Sequence, residues 1–284
     1  MSLFRRRTLL LTGLGLWSTC RLLAQPAGNL VVPYVPTADP VVAAMLKLAR
    51  VGKDDFLIDL GCGDGRIVIT AAREHGTRGF GVDIDPELVE LSRSNARRAG
   101  VEDRVSFTEQ DLFQTDLRPS SVVTLYLFPE INLKLRSKLF AELKPGSRVV
   151  SNEWDMGAWQ PDETLKVQAP DRAYQIFAWT IPAEAQGVWE GGASAGGPPR
   201  SYRLVLRQHF QTASGTLLVE GKEYLLSDAR LEGNLLRFVV PAAGLQFVGK
   251  VSGDLLAGNF GGGPPERGPT WQAQRLKRFN EVWY

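Results

Sequence analysis

Apolar and polar positions fall into two regimes along the chain. In the first, short apolar runs alternate with stretches whose apolar residues recur at helical spacing. Phe56, Leu57, Ile58 and Leu60 form a nearly continuous run, as expected of a strand covered on both faces, and residues 67–73 continue as a helix. Residues 79–82 repeat the strand, residues 87–96 follow as a helix with Leu88, Leu91 and Ala96 on its inner face, and Gly100 ends it. Residues 105–107 and 121–128 supply two more strands. A helix over 133–143 turns Leu133, Leu135, Leu139, Phe140 and Leu143 inward and stops at Lys144-Pro145-Gly146, and residues 147–152 make a fifth strand. Upstream, Asp39-Pro40 opens an amphipathic helix through Val41, Val42, Met45, Leu46 and Leu48. Strands alternating with helices predict a doubly wound, parallel α/β sheet.

The second regime begins past Pro182. Residues 191–199 are rich in Gly and Pro and read as a linker. Period-two segments follow over 202–210, 215–220, 223–226, 235–240, 245–251 and 254–259, separated by turns such as Gly233-Asn234 and Gly253-Asp254. They predict a small antiparallel all-β domain. Gly187-Val188-Trp189 with Trp271 and Arg275 resembles the two ends of lipocalin barrels, although the stretch is short for a ligand-holding barrel.

The chemistry concentrates where the first strand meets its helix. Asp59-Leu60-Gly61-Cys62-Gly63-Asp64-Gly65 combines a strand-end carboxylate with three alternating glycines, which let the backbone approach a ligand ahead of a helix N-terminus. The dinucleotide fingerprint places its third glycine where this chain has Arg66, and Asp59 repels phosphate but suits an ammonium or sulfonium. Asp83 ends the second strand about 20 residues past the loop, where a carboxylate binds both ribose hydroxyls.

Together, Asp59 to Gly65 and Gly81-Val82-Asp83-Ile84-Asp85-Pro86 resemble the S-adenosylmethionine (SAM) site of the seven-β-strand methyltransferases. The resemblance implies a Rossmann-like sheet of seven strands, the last two, 164–167 and 174–180, antiparallel. It implies a SAM cofactor held by Asp59, Gly61, Cys62, Gly63, Gly65, Asp83, Ile84, Asp111 and Leu112, with Asp111 at the adenine amino group; a turn-capping role for Asp111 is the alternative. Tyr34-Val35-Pro36-Thr37 and Leu125-Tyr126-Leu127-Phe128-Pro129-Glu130-Ile131-Asn132 are similar to segments of the lysine methyltransferases that modify the ATP-synthase c subunit and the ADP/ATP carrier. In that group the first segment closes over the cofactor, which makes Tyr34 and Thr37 lid residues. The second departs from the Asn/Asp-Pro-Pro-Tyr motif of nucleic-acid amino methyltransferases. Tyr126 and Phe128 then line an acceptor slot and Glu130 orients the amine, while core packing explains the same two aromatics equally well. Glu153-Trp154 to Trp159 forms an acidic and aromatic loop on the ligand side, read as substrate contact or as a cap on the core.

Composition narrows the partners. With 284 residues, 44% hydrophobic content and a formal net charge of +2, the chain is an ordinary globular protein without a basic footprint for nucleic acid. Cys20 and Cys62 are too few for a disulfide framework, and His75 and His209 lack metal-ligand spacing. Arg5-Arg6-Arg7 followed by the apolar run 9–17 has the layout of an export signal and is shorter than the roughly 20 residues that span a membrane. Arg6-Arg7 resembles a twin-arginine signal.

The expected organisation is a signal or anchor segment at 1–27, a methyltransferase domain at 28–182, a linker at 183–200 and an antiparallel β domain at 201–284. The expected function is SAM-dependent N-methylation of a protein lysine on a membrane-associated substrate, at the cell envelope rather than in the cytoplasm, with the N-terminal segment as a candidate membrane attachment. The alternatives are a small-molecule methyltransferase and a non-catalytic envelope binding protein that keeps the fold.

Overall fold

A computed structural model describes residues 34–194, 200–264 and 268–284. The expected export-type segment at 1–27 lies outside them. The first layer is α1 (Asp39–Leu48), whose buried Val41, Val42, Met45 and Leu46 pack on the sheet that follows. The sheet-and-helix series then runs β1 (Phe56–Leu60), α2 (Arg66–His75), β2 (Arg78–Asp83), α3 (Pro86–Ala99), β3 (Val105–Glu109), β4 (Val122–Leu125), α4 (Pro129–Glu142), β5 (Arg148–Asn152), β6 (Glu163–Gln168) and β7 (Ala173–Thr180). These strands make one sheet in the order β3-β2-β1-β4-β5-β7-β6. β1 to β5 are parallel, and β7 runs antiparallel to both β5 and β6. The order reverses between β1 and β4, and ligands of such open sheets bind in the crevice beyond the carboxyl ends at that switch point.

Two helix faces differ from the sequence reading. The buried positions of α3 are Val89, Ser92 and Ala96, while Leu91 is exposed. On α4, Ile131, Leu135, Leu139 and Phe140 are buried and Leu133 faces outward. Leu91 stands two positions from Val89, and Leu133 two from both Ile131 and Leu135, and at 3.6 residues per turn residues two apart point to opposite sides of a helix, so neither leucine can join the buried stripe. β4 is also shorter than expected: Tyr126 to Phe128 leave the sheet as a loop.

The second sheet has nine strands: β8 (Gly187–Ser194), β9 (Arg200–His209), β10 (Thr212–Val219), β11 (Lys222–Leu225), β12 (Ser227–Glu232), β13 (Leu235–Val240), β14 (Leu245–Ser252), β15 (Leu255–Gly261) and β16 (Thr270–Lys277). Because β9 pairs with both β8 and β10, and β8 with β16, eight of them close into an up-and-down barrel; β11 hangs on β10 alone. The reading of 183–200 as a linker is therefore corrected, since Gly187–Ser194 is the strand that closes the barrel. Gly191 explains the misreading: a Cβ there would lie 1.8 Å from the Gln272 carbonyl oxygen, so this glycine permits close strand packing rather than flexibility. The interior is filled by side chains including Trp189, Leu204, Leu206, Leu236, Phe238, Phe247 and Trp271. Arg275 lies over the Trp189 ring at 4.2 Å and donates to the carbonyls of Gln186, Glu184 and Gly253.

The barrel packs on the α4 side of the first sheet, where one helix is too little to cover β5 and β7. Phe140 of α4 meets Trp159 at 4.5 Å, Phe210 at 5.9 Å and Tyr284 at 4.8 Å, and Trp159 in turn packs at a tilt against Trp179 at 5.5 Å. Arg230 pairs with Asp162 at 2.6 Å, and Gln211 donates to the Gln160 carbonyl. Of the acidic and aromatic loop, Trp159 is thus a core residue, fully buried, whereas Trp154 is exposed.

Candidate cofactor and acceptor site

The loop between β1 and α2 is shaped by left-handed backbone. Gly61, Gly63 and Gly65 have φ of 79°, 54° and 79°, a region side chains disfavour. The space beside them is also taken: a Cβ on Gly61 would lie 2.9 Å from Leu127, one on Gly63 2.5 Å from the Tyr34 ring, and one on Gly65 2.8 Å from Phe107. The contact between Gly61 and Leu127 brings the β4 exit against the glycine loop. Tyr34 lies over Gly63, and the buried Thr37 is tied in through its carbonyl, which accepts from Arg66 at 2.8 Å. Arg66 is itself held by Asp64 at 2.7 Å.

Two carboxylates flank this loop. Asp83 accepts from the Gly63 N–H at 2.8 Å and from the Asp85 N–H at 3.1 Å, which fixes its orientation at the end of β2. Asp59 is buried in the sheet and accepts from the Thr124 hydroxyl at 2.7 Å. Burial pushes its carboxyl up to about 7, the Thr124 hydrogen bond works against this, and the nearby Asp83 and Asp64 charges add to it. An anion so poorly compensated is a site for a cationic ligand. Cys62 is buried and its thiol is pushed well above the ordinary range by desolvation, so it serves packing and shape rather than reactivity.

On the other side of the crevice, Ile84 is 51% exposed and Phe113 40% exposed, an apolar pair at the β2 and β3 exits. Asp111 caps the short 3₁₀ turn Leu112–Gln114, accepting from the Phe113 N–H at 2.9 Å, with Leu112 half-buried beside it. The capping alternative therefore describes Asp111 in this structure, with its second carboxylate oxygen outside the cap bond.

At the β4 exit, Tyr126 follows directly on β4 and is half-buried, with desolvation raising its phenol above the ordinary value. Glu130 is exposed on the first turn of α4. The carboxylate that the fold brings near Tyr126 is Glu153: Arg172 joins the two, donating to Glu153 at 2.7 Å and to the Tyr126 hydroxyl at 3.5 Å. Glu153 also accepts from the Gln175 N–H at 2.9 Å and has a φ of 69°, unusual for a residue with a side chain. The sequence marked Glu153 only as part of a loop; its link to β7 depends on antiparallel pairing that no local pattern encodes.

The residues fit SAM. Asp59 would hold its cationic amino-acid end, Asp83 its ribose hydroxyls and the bare glycine backbone would leave room for its chain, while the exposed apolar Ile84 and Phe113 suit a flat aromatic base. Fold and site together define a SAM-dependent methyltransferase. The chain belongs to the ANTKMT methyltransferase domain family, whose pattern matches residues 59–163. It is 41% identical to a protein-lysine N-methyltransferase of Saccharolobus islandicus (strain REY15A), covering 53% of this chain and 94% of that one. It is 39% identical to the adenine nucleotide translocase lysine N-methyltransferase of Mus musculus, over 53% of this chain and 67% of the relative. A solved structure described as an RNA methyltransferase from Salinibacter ruber, bound to S-adenosyl-L-homocysteine (SAH), is 53% identical, with a TM-score of 0.50 over 53% of this chain and 96% of that one.

Proposed function

We propose that the enzyme methylates a lysine side chain of a membrane-associated protein. The 41% identity to a protein-lysine N-methyltransferase across 94% of that relative carries this reading. The translocase and ATP-synthase lysine methyltransferases among the relatives support a membrane protein as acceptor.

When bound, SAM supplies a methyl carbon activated by a positive sulfur. The chain then has to align a nitrogen in line with that carbon and let the nitrogen shed its proton. A lysine ammonium has an ordinary pKa of about 10.4, so an entry lined by apolar and aromatic groups favours the neutral, nucleophilic amine. Leu127 lies beside Gly61, and its chain neighbours Tyr126 and Phe128 would extend such a lining. Tyr126, with its phenol raised, stays protonated near neutrality and acts as a hydrogen-bonding group rather than a base. In this reading Tyr34 and Thr37 form the lid, and Asp59, Gly61, Cys62, Gly63, Gly65, Asp83, Ile84, Asp111 and Leu112 hold the cofactor. The export-like N-terminal segment supports an envelope address.

Transfer to RNA is the second reading, favoured by the description of the Salinibacter ruber structure. Against it stand the near-neutral charge and a β4 exit unlike the Asn/Asp-Pro-Pro-Tyr motif. Purified enzyme given SAM with a labelled methyl group, and membrane protein, soluble protein and total RNA in parallel, separates the readings. Label on lysines of the membrane fraction is expected; label confined to RNA or soluble protein overturns the proposal.

A further inference from the structure

Beyond the cofactor crevice, three adjacent strands converge on a cation that belongs to the protein itself. Tyr126 leaves β4, Asn152 and Glu153 end β5, and Tyr174 lies on β7 next to β5. The guanidinium of Arg172 sits 4.0 Å from the centre of the Tyr174 ring, ion-pairs with Glu153 at 2.7 Å and reaches the Tyr126 hydroxyl at 3.5 Å. Tyr174 is fixed by donating to Asp171 at 2.6 Å, and Glu153 by the Gln175 N–H and its left-handed backbone. A carboxylate with two phenol rings is a set that recognises an organic cation.

Two observations mark this cluster as more than a surface ion pair. Asn152 is fully buried, yet among the described residues neither its amide nitrogen nor its amide oxygen has a hydrogen-bond partner. Buried amides are rarely left so, and each exception calls for a reason, a functional role of the group among them. The register Asp59↔Thr124 and Thr124↔Val150 puts these residues on one face, and alternation carries Asn152 to that same face. Tyr126 also precedes Leu127, which touches Gly61 of the cofactor loop.

We propose that Tyr126, Asn152, Glu153 and Tyr174 form the slot that receives the acceptor's lysine side chain, and that Arg172 holds this slot in the free protein and is displaced on acceptor binding. The proposal rests on the lysine reading above. Arg172 is a suitable occupant because its side chain is 47% exposed, and ion pairs so open to water are weak enough for a competing cation to replace. Its planar guanidinium stays charged and cannot itself be the nucleophile at neutral pH. Glu153, by this account, is a positioning residue for the entering amine, a part the exposed Glu130 does not play.

The test uses the full chain, tritiated SAM and the protein fraction that wild type labels. Glu153→Gln is expected to raise the acceptor KM about tenfold, and Arg172→Ala to lower it several-fold, both with SAH affinity unchanged. A purely structural ion pair would move both variants in the same direction. Parallel rises in KM, or no change in either, with wild type still labelling lysine, overturn the slot and leave the lysine reading standing. If wild type labels no lysine, that reading and the slot fall together. Should Glu153→Gln not fold, Arg172→Ala alone decides, since a half-exposed side chain can be truncated without opening the core.

Discussion

The hydroxyl of Thr124 donates to the carboxylate of Asp59 across the β1–β4 pair, supplying a single neutral donor to an acid held almost wholly out of water. One such donor does not offset that burial, which is why the Asp59 carboxyl sits near 7. With the folded value above the unfolded one, this group favours folding below the unfolded pKa of about 4, and that advantage is lost as pH rises to about 7. Asp59→Asn is therefore expected to melt higher than wild type above pH 7, by an amount on the order of a few kcal/mol, with the gap closing toward pH 4. A gap independent of pH in thermal melts would contradict the assignment.

Ligand binding follows the opposite slope. If the cationic end of SAM meets ionised Asp59, as proposed, SAM affinity measured by calorimetry rises with pH and levels off above about 7. Asp59→Asn should flatten that profile, with the loss of affinity largest above pH 7 and small where the wild-type carboxyl is protonated.

Gly63 combines a φ of 54° with the Tyr34 ring at 2.5 Å from any added Cβ. Gly63→Ala is expected to displace Tyr34 and lower SAH affinity at least tenfold. Gly100, also left-handed at φ 64° but with open space around it, is the control. Gly100→Ala should cost about 1 kcal/mol in stability from backbone strain and leave SAH affinity as it is.

Asp83→Ala removes a carboxylate that a ribose diol would meet through charge-assisted hydrogen bonds, each worth about 1.5–3 kcal/mol. SAH affinity is expected to fall roughly tenfold to hundredfold. Unchanged affinity would place the ribose elsewhere.

Phe140 joins the two sheets through Trp159, Phe210 and Tyr284. Phe140→Ala is expected to destabilise by about 3 kcal/mol. Combined with Phe210→Ala, the loss should be less than additive, because both mutations open the same contact. Chemical denaturation of the single and double variants reads this directly.

The parallel sheet, its glycine loop and the acidic strand ends were legible in the chain because each is local. A run of apolar residues, a turn that tolerates no Cβ and a carboxylate one step before it lie within a few positions of one another. The carboxylate that stands beside Tyr126 was not legible in the same way. Glu130 follows the β4 motif in sequence, yet a helical turn carries it outward, while Glu153 reaches Tyr126 only through Arg172, which antiparallel β7 brings back across the sheet. Barrel closure was hidden for a related reason: Gly191 reads as flexible along the chain, and only the approach of the Gln272 backbone reveals why a glycine is needed there. The sequence by itself determined the alternation of elements and the chemistry of the cofactor loop, since short-range sterics and burial period are written into neighbouring residues. Tertiary structure alone decided which distant charges meet and how the second sheet closes, because those depend on strand pairings between residues far apart in the chain.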